Sequence, residues 1–208
     1  MITIVDYGMG NLRSVYNALD LLGAEVNISS DPAEILNAER LILPGVGAFG
    51  LAMQFLDEGG FVAALNEAVI ERGVPILAIC LGMQLLAEDS TEHGQHAGLG
   101  WLPGQVRHFE AMGDLRVPHV GWNEIAPREG AALFQGVTRR EFYFVHSYYF
   151  MTSDASIIAA TTHYGHEFVS AVQRDNIFGT QFHPEKSQDA GLRVLRNFMA
   201  WERATEPA

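Results

Sequence analysis

The chain has 208 residues, enough for one domain of ordinary size and too few for an additional substrate-binding domain. A net charge of −12 and a pI near 5.0 exclude a general polyanion-binding surface, so nucleic acid is not an expected partner. Apolar residues make up 48% and charged residues 18%, the balance of a packed globular domain, and no apolar run approaches the ~20 residues that cross a bilayer.

The opening Met1-Ile2-Thr3-Ile4-Val5-Asp6 lacks a basic lead and a signal-length apolar stretch, which predicts a cytoplasmic protein without a membrane partner. Ile2 to Asp6 reads as a strand. Asn11 to Leu22 places Leu12, Val15, Tyr16, Leu19 and Leu22 at helical spacing, with Gly23 as the stop. Glu25 to Ser29 reads as a strand, Asp31-Pro32 as a helix start, and Arg40 to Leu43 as a strand that runs into Pro44-Gly45-Val46-Gly47. Phe49 to Leu56 and Phe61 to Arg72 read as helices parted by Gly59-Gly60. Val74 to Cys80 is a strand apolar throughout, the pattern of one covered on both faces, and Gly82 to Glu88 returns to helix.

Beyond about Gly100 the texture becomes β-rich. Gly104 to His108, Arg116 to Trp122, Glu141 to Phe150, Ser156 to Thr162, Phe168 to Arg174 and Ile177 to Phe182 read as strands, and Ser187 to Trp201 as a closing amphipathic helix. The alternation predicts a single α/β domain over residues 1–201. Its mostly parallel central sheet is flanked by helices, with antiparallel additions to the same sheet in the second half. Residues 202–208 read as a loose tail.

Several motifs lead nowhere. Gly8-Met9-Gly10 lacks the third glycine of a dinucleotide fingerprint, because Arg13 occupies that position. The only lysine, Lys186, has no glycine-rich lead-in, which excludes a Walker phosphate loop. His93-x-x-His96, with Glu92 beside it, and His163-x-x-His166 lack a third ligand nearby, so neither a metal nor another cofactor is expected.

Cys80 is different. In Ala78-Ile79-Cys80-Leu81-Gly82 a buried strand turns into a helix with small residues two before and two after the cysteine, the layout of a nucleophile elbow. The helix start favours a thiolate and aims the Leu81 amide at a developing oxyanion. An inert strand-end cysteine is the bland alternative. Among the 8 histidines, His183 in His183-Pro184-Glu185 lies just past another apolar strand. In an extended segment Glu185 would share its face and fix its tautomer. The glycines around Val46 permit backbone conformations that turn its amide into or out of a site at a third strand end.

These residues resemble the class I (triad) glutamine amidotransferases, through Cys80-Leu81-Gly82-Met83-Gln84 and His183-Pro184-Glu185. Further segments are similar to the glutaminase subunits of imidazole glycerol phosphate synthases: Asp6-Tyr7-Gly8-Met9-Gly10-Asn11-Leu12, Pro44 to Phe49, Val117 to Asn123, Phe144 to Tyr149, and Lys186-Ser187. The resemblance implies hydrolysis of glutamine to glutamate by a Cys80, His183, Glu185 triad, with Leu81 and Val46 as oxyanion donors. It implies that Gln84 and Glu92 hold the amino-acid end of glutamine, with backbone of Gly47, His146, Ser147 and Tyr148 nearby. It also implies a heterodimer with a (β/α)8 cyclase subunit that receives the ammonia, contacted through Asn11, Trp122, Tyr143 and Lys186. There the ammonia goes into imidazole glycerol phosphate and an aminoimidazole carboxamide ribotide. A paralogous two-component amidotransferase with another acceptor is the alternative within this chemistry.

Overall fold

The computed structural model describes residues 1–110 and 115–203. The elements in chain order are β1 (Ile2–Val5), α1 (Leu12–Leu21), β2 (Val26–Ser29), α2 (Pro32–Leu36), β3 (Arg40–Gly45), α3 (Phe49–Glu58), α4 (Phe61–Leu65), β4 (Ile76–Cys80) and α5 (Leu81–Leu85). Then follow β5 (Asp89–Ser90), β6 (His96–Ala97), β7 (Gln105–His108), β8 (His119–Glu124), β9 (Ala126–Pro127), β10 (Glu141–His146), β11 (Tyr148–Met151), β12 (Ile158–Tyr164), β13 (His166–Arg174), β14 (Ile177–Thr180) and α6 (Gln188–Ala200).

β2-β1-β3-β4-β14 form a parallel block, and β13 and β11 extend the same sheet antiparallel. Side chains of the central strands alternate between two cores. Leu41, Leu43, Ile76 and Ala78 face Ile35, Leu56 and Leu65 of α2–α4, whereas Ile42, Leu77 and Ile79 face Val15 and Leu19 of α1 and Leu195 and Phe198 of α6. Burial on both faces is why these strands carry no polar alternation. The helix starts follow local chemistry: Asn11 and Asp31 side chains accept from the amides of Ser14 and Ala33.

Four expectations are corrected. The Glu141 to Phe150 segment is two strands, because the chain changes sheets at Ser147: β10 pairs with β8 in a separate two-stranded sheet, while β11 joins the main one. The second-half strands therefore do not all add to one sheet. The helix after Cys80 stops at Leu85 and the chain goes on into short β5: the Leu86 and Ala87 amides bond three residues back, to Met83 and Gln84, and the Leu85 and Leu86 carbonyls accept from the Leu99 and Leu102 amides instead of continuing the helix. Strand β8 begins at His119, so Arg116 to Pro118 is not strand. Finally, only His183 of the His183-Pro184-Glu185 segment is extended; Pro184–Lys186 form a turn of 3-10 helix. Of the proposed tail, residues 204–208 lie outside the described residues.

Candidate active site

Cys80 ends β4 with φ 56 and ψ −110, a backbone conformation rare for a residue with a side chain and one that costs about 1–3 kcal/mol. The flanking sequence makes the turn possible. A Cβ on Gly82 would lie 2.0 Å from the Leu43 carbonyl oxygen, and one on Gly45 2.8 Å from the Gly82 amide nitrogen, so both positions exclude a side chain. Gly45 pairs with Cys80 across the parallel ladder, which brings Val46 and Gly47 directly past the thiol. Val46 is exposed and Gly47 has φ 102, while the Leu81 amide opens the first turn of α5.

β14 runs parallel to β4 on the other side, and His183 lies three residues past its end, at the same edge of the sheet where Cys80 ends β4. His183 Nδ1 donates to Glu185 Oε1 at 2.7 Å, with both side chains almost fully buried. That bond leaves Nε2 toward a cleft of about 520 Å³ that Cys80 also lines. Nε2 has no hydrogen bond of normal geometry among the described residues. Burial alone would disfavour charge on this ring, yet the nearby Cys80 sulfur and the Glu185 carboxylate outweigh it and push the ring up to about 10. The turn is stitched down by the His183 amide donating to the Tyr143 carbonyl (2.9 Å), by Ser187 Oγ donating to the His183 carbonyl (2.6 Å) and by the Tyr143 amide donating to Ser187 Oγ (3.0 Å).

The cleft also takes in Val46, Gly47, Leu81, Gln84, Glu92, His146, Ser147 and Tyr148. Gln84 is buried, and its Nε2 donates to the Tyr148 carbonyl (2.9 Å) and to Gln181 Oε1 (3.1 Å). With both amide protons so committed, Gln84 Oε1 is the group left to accept from a ligand. Glu92 Oε2 accepts from the Phe49 amide at 2.6 Å, tying its carboxylate to the start of α3 just beyond Gly47. Sequence reasoning missed Gln181, whose Nε2 lies 3.7 Å from Cys80 Sγ. Its place two residues before His183 on the strand that leads to it was the available signal.

A family model described as glutamine amidotransferase class-I matches residues 3–201. The chain is 55% identical over 199 residues to the imidazole glycerol phosphate synthase subunit HisH of Moorella thermoacetica, covering 95% of this chain and 93% of that one. The HisH subunit of Chlorobium luteolum is 52% identical over 95% and 98% of the two chains. The chain belongs to the class-I glutamine amidotransferases, among the HisH subunits of imidazole glycerol phosphate synthase. Solved structures at far lower identity share its fold. A glutamine amidotransferase is 20% identical with a TM-score of 0.73, covering 95% of this chain and 96% of its own. PurLQS from Thermotoga maritima is 18% identical with a TM-score of 0.71, at the same coverages.

The interface candidates of this amidotransferase lie in two groups. Trp122 and Tyr143 are cross-strand partners on the two-stranded sheet with rings 6.2 Å apart, and Lys186 Nζ sits 5.8 Å above the Tyr143 ring. Asn11 caps α1 and lies half-buried. His93 is exposed on the cleft rim beside Glu92, and no group of three or more His, Cys, Asp or Glu placed to hold a metal occurs among the described residues. No helix among them is long and apolar enough to cross a membrane.

Proposed function

We propose that this chain hydrolyses glutamine to glutamate and ammonia through Cys80, His183 and Glu185, and passes the ammonia to a (β/α)8 cyclase subunit. There it is incorporated into imidazole glycerol phosphate and aminoimidazole carboxamide ribotide in histidine biosynthesis, in the cytoplasm. Residues 1–201 are the catalytic domain in this reading. The observation that carries it is a cysteine held at positive φ at one strand end, sharing a cleft with a buried His183–Glu185 pair at the next.

The geometry supports the following chemistry. Cys80 Sγ attacks the side-chain amide carbon of glutamine, and the amide oxygen takes the negative charge against the Leu81 amide and a Val46 amide turned inward. His183 holds the proton that left the thiol, delivers it to the departing nitrogen as ammonia leaves, and then takes a proton from the water that cleaves the thioester. A ring pushed up to about 10 holds that proton at neutral pH, and Glu185 keeps it in the orientation that presents Nε2 to the sulfur. Gln84 Oε1 accepts from the α-ammonium of the substrate, and Glu92 supplies the opposing charge. Ammonia in neutral water is mostly protonated and no longer nucleophilic, so direct transfer to the cyclase preserves the reactive form.

The test is glutamate release by the chain together with a histidine-pathway cyclase and its nucleotide. Cys80→Ala should lower kcat by roughly 10⁴-fold or more while the cyclase reaction run on added ammonium salt continues unchanged. A Cys80→Ala complex that still hydrolyses glutamine, or a complex that never forms with that cyclase, would count against the assignment.

A further inference from the structure

A chain of hydrogen bonds runs from the two-stranded sheet to the cleft wall, and no step above uses it. Asn123 Nδ2 lies 3.2 Å from His119 Nε2, His119 Nδ1 lies 2.9 Å from His146 Nε2, and His146 Nδ1 lies 2.8 Å from the Tyr148 carbonyl oxygen. The last member fixes every proton. A carbonyl only accepts, so His146 carries its proton on Nδ1 and its Nε2 must accept. His119 therefore donates from Nδ1, which leaves its own Nε2 to accept from the Asn123 amide. Only one arrangement of the neutral rings satisfies all three bonds.

The surroundings hold both rings in that state. His119 is stacked between Tyr164 and Phe144, with ring centroids 3.9 and 4.8 Å away. Burial lowers its pKa to about 4. His146 is lowered to about 3, first by burial and further by His119 and His183 beside it, against an opposing bond to Tyr148. The Tyr148 carbonyl that ends the relay is the same one that receives Gln84 Nε2, so it is held from two sides.

We propose that His119 and His146 are positioning residues, a neutral relay of one tautomer that holds the Tyr148 carbonyl where it orients the Gln84 amide toward the amino-acid end of glutamine. This rests on the glutaminase reading above. Two rings that merely filled the core would have no reason to be histidine, and an apolar replacement would serve them as well. A relay needs the donor at the Nδ1 position, which asparagine can supply and leucine cannot.

Steady-state glutaminase assays on the full complex with cyclase and nucleotide separate the two roles. For His146→Leu we expect KM for glutamine to rise about tenfold or more with kcat within about threefold of the parent, and for His146→Asn a KM within about threefold. Unchanged KM in His146→Leu, or a worse KM in His146→Asn than in His146→Leu, overturns the relay while leaving the glutaminase reading in place. A parent complex that releases no glutamate overturns both. Imidazole ¹⁵N spectra of the unmutated chain at neutral pH give a readout independent of variant folding. Protons on Nδ1 of both His119 and His146 are expected, and an Nε2 proton on either ring overturns the proposal.

Discussion

Cys80 combines a strained backbone with the side chain proposed as the nucleophile. At φ 56 the cysteine Cβ is crowded in a way glycine avoids, and the ordinary cost of such a conformation is about 1–3 kcal/mol against about 0.5–1 kcal/mol for the extra freedom an unfolded glycine loses. Strain wins. We therefore expect Cys80→Gly to be inactive yet more stable than the equally inactive Cys80→Ala by about 1 kcal/mol, read from urea unfolding of the two variants. Equal midpoints would mean that the elbow is relaxed. The buried histidines set a second residue-scale effect, and its sign differs among them. His119 and His146, lowered to about 4 and 3, stay neutral in the fold while the unfolded chain takes up protons below about 6.5, so their effect is to lose stability as pH falls from 6.5 toward 3. His183, raised to about 10, contributes stability that is complete below 6.5 and disappears as pH rises to 10. The histidine contribution thus peaks near pH 6.5. Unfolding midpoints across pH should flatten on the acid side in His119→Gln and on the alkaline side in His183→Ala, and an unaltered profile in both would contradict these assignments.

At the scale of elements, the proposed triad depends on close backbone contacts made by glycines outside it. A Cβ on Gly191, in the first turn of α6, would lie 1.8 Å from the Pro184 carbonyl oxygen, so this helix packs directly on the turn that carries Glu185. Gly191→Ala must push that turn, and we expect a loss of about 1–3 kcal/mol together with a fall in kcat that exceeds any change in partner affinity. Parent-like turnover would show that the turn moves without Glu185. Much of this arrangement was legible in the sequence: the continuous apolar strands, the small residues at Ala78 and Gly82, and the placement of Cys80 at a strand end and His183 just past another. What escaped depends on long-range partners. Nothing local in Glu141 to Phe150 marks the change of sheet at Ser147, since it is pairing with β8 on one side and β7 on the other that divides the segment. Likewise the His183–Glu185 bond was anticipated from an extended chain, whereas a 3-10 turn delivers the same contact. Gln181 and His119 needed the fold to bring their partners within reach.

For the whole molecule, the question is how a surface contact would reach the thiol. Exposed Val120, Trp122 and Val145 lie on the two-stranded sheet, with Tyr143 opposite Trp122 and Lys186 above the Tyr143 ring. Tyr143 is also the residue whose carbonyl receives the His183 amide, and Val145, two residues on, offers its carbonyl 4.0 Å from Cys80 Sγ. The strand that would meet the cyclase is therefore hydrogen-bonded to His183 of the proposed triad. In the proposed function, pressure on it would pass through one covalent strand and one backbone bond, and Val46 and Gly47, exposed at the cleft mouth, are the segment proposed to turn an amide toward the oxyanion. Coupling between binding sites is commonly worth 1–3 kcal/mol, or about 5- to 150-fold in affinity; for glutamate release we expect cyclase plus nucleotide to raise the rate at least about 5-fold over the isolated chain. Lys186→Ala removes the cation from the Tyr143 ring and leaves the buried triad bonds intact, so it should weaken cyclase binding and reduce the stimulation with little effect on basal hydrolysis. Glutaminase measured on the isolated chain, the complex and the complex with nucleotide, each with and without Lys186, decides it. An isolated chain as fast as the stimulated complex, or a Lys186→Ala complex with parent affinity and parent stimulation, would show that the two-stranded sheet does not carry the signal.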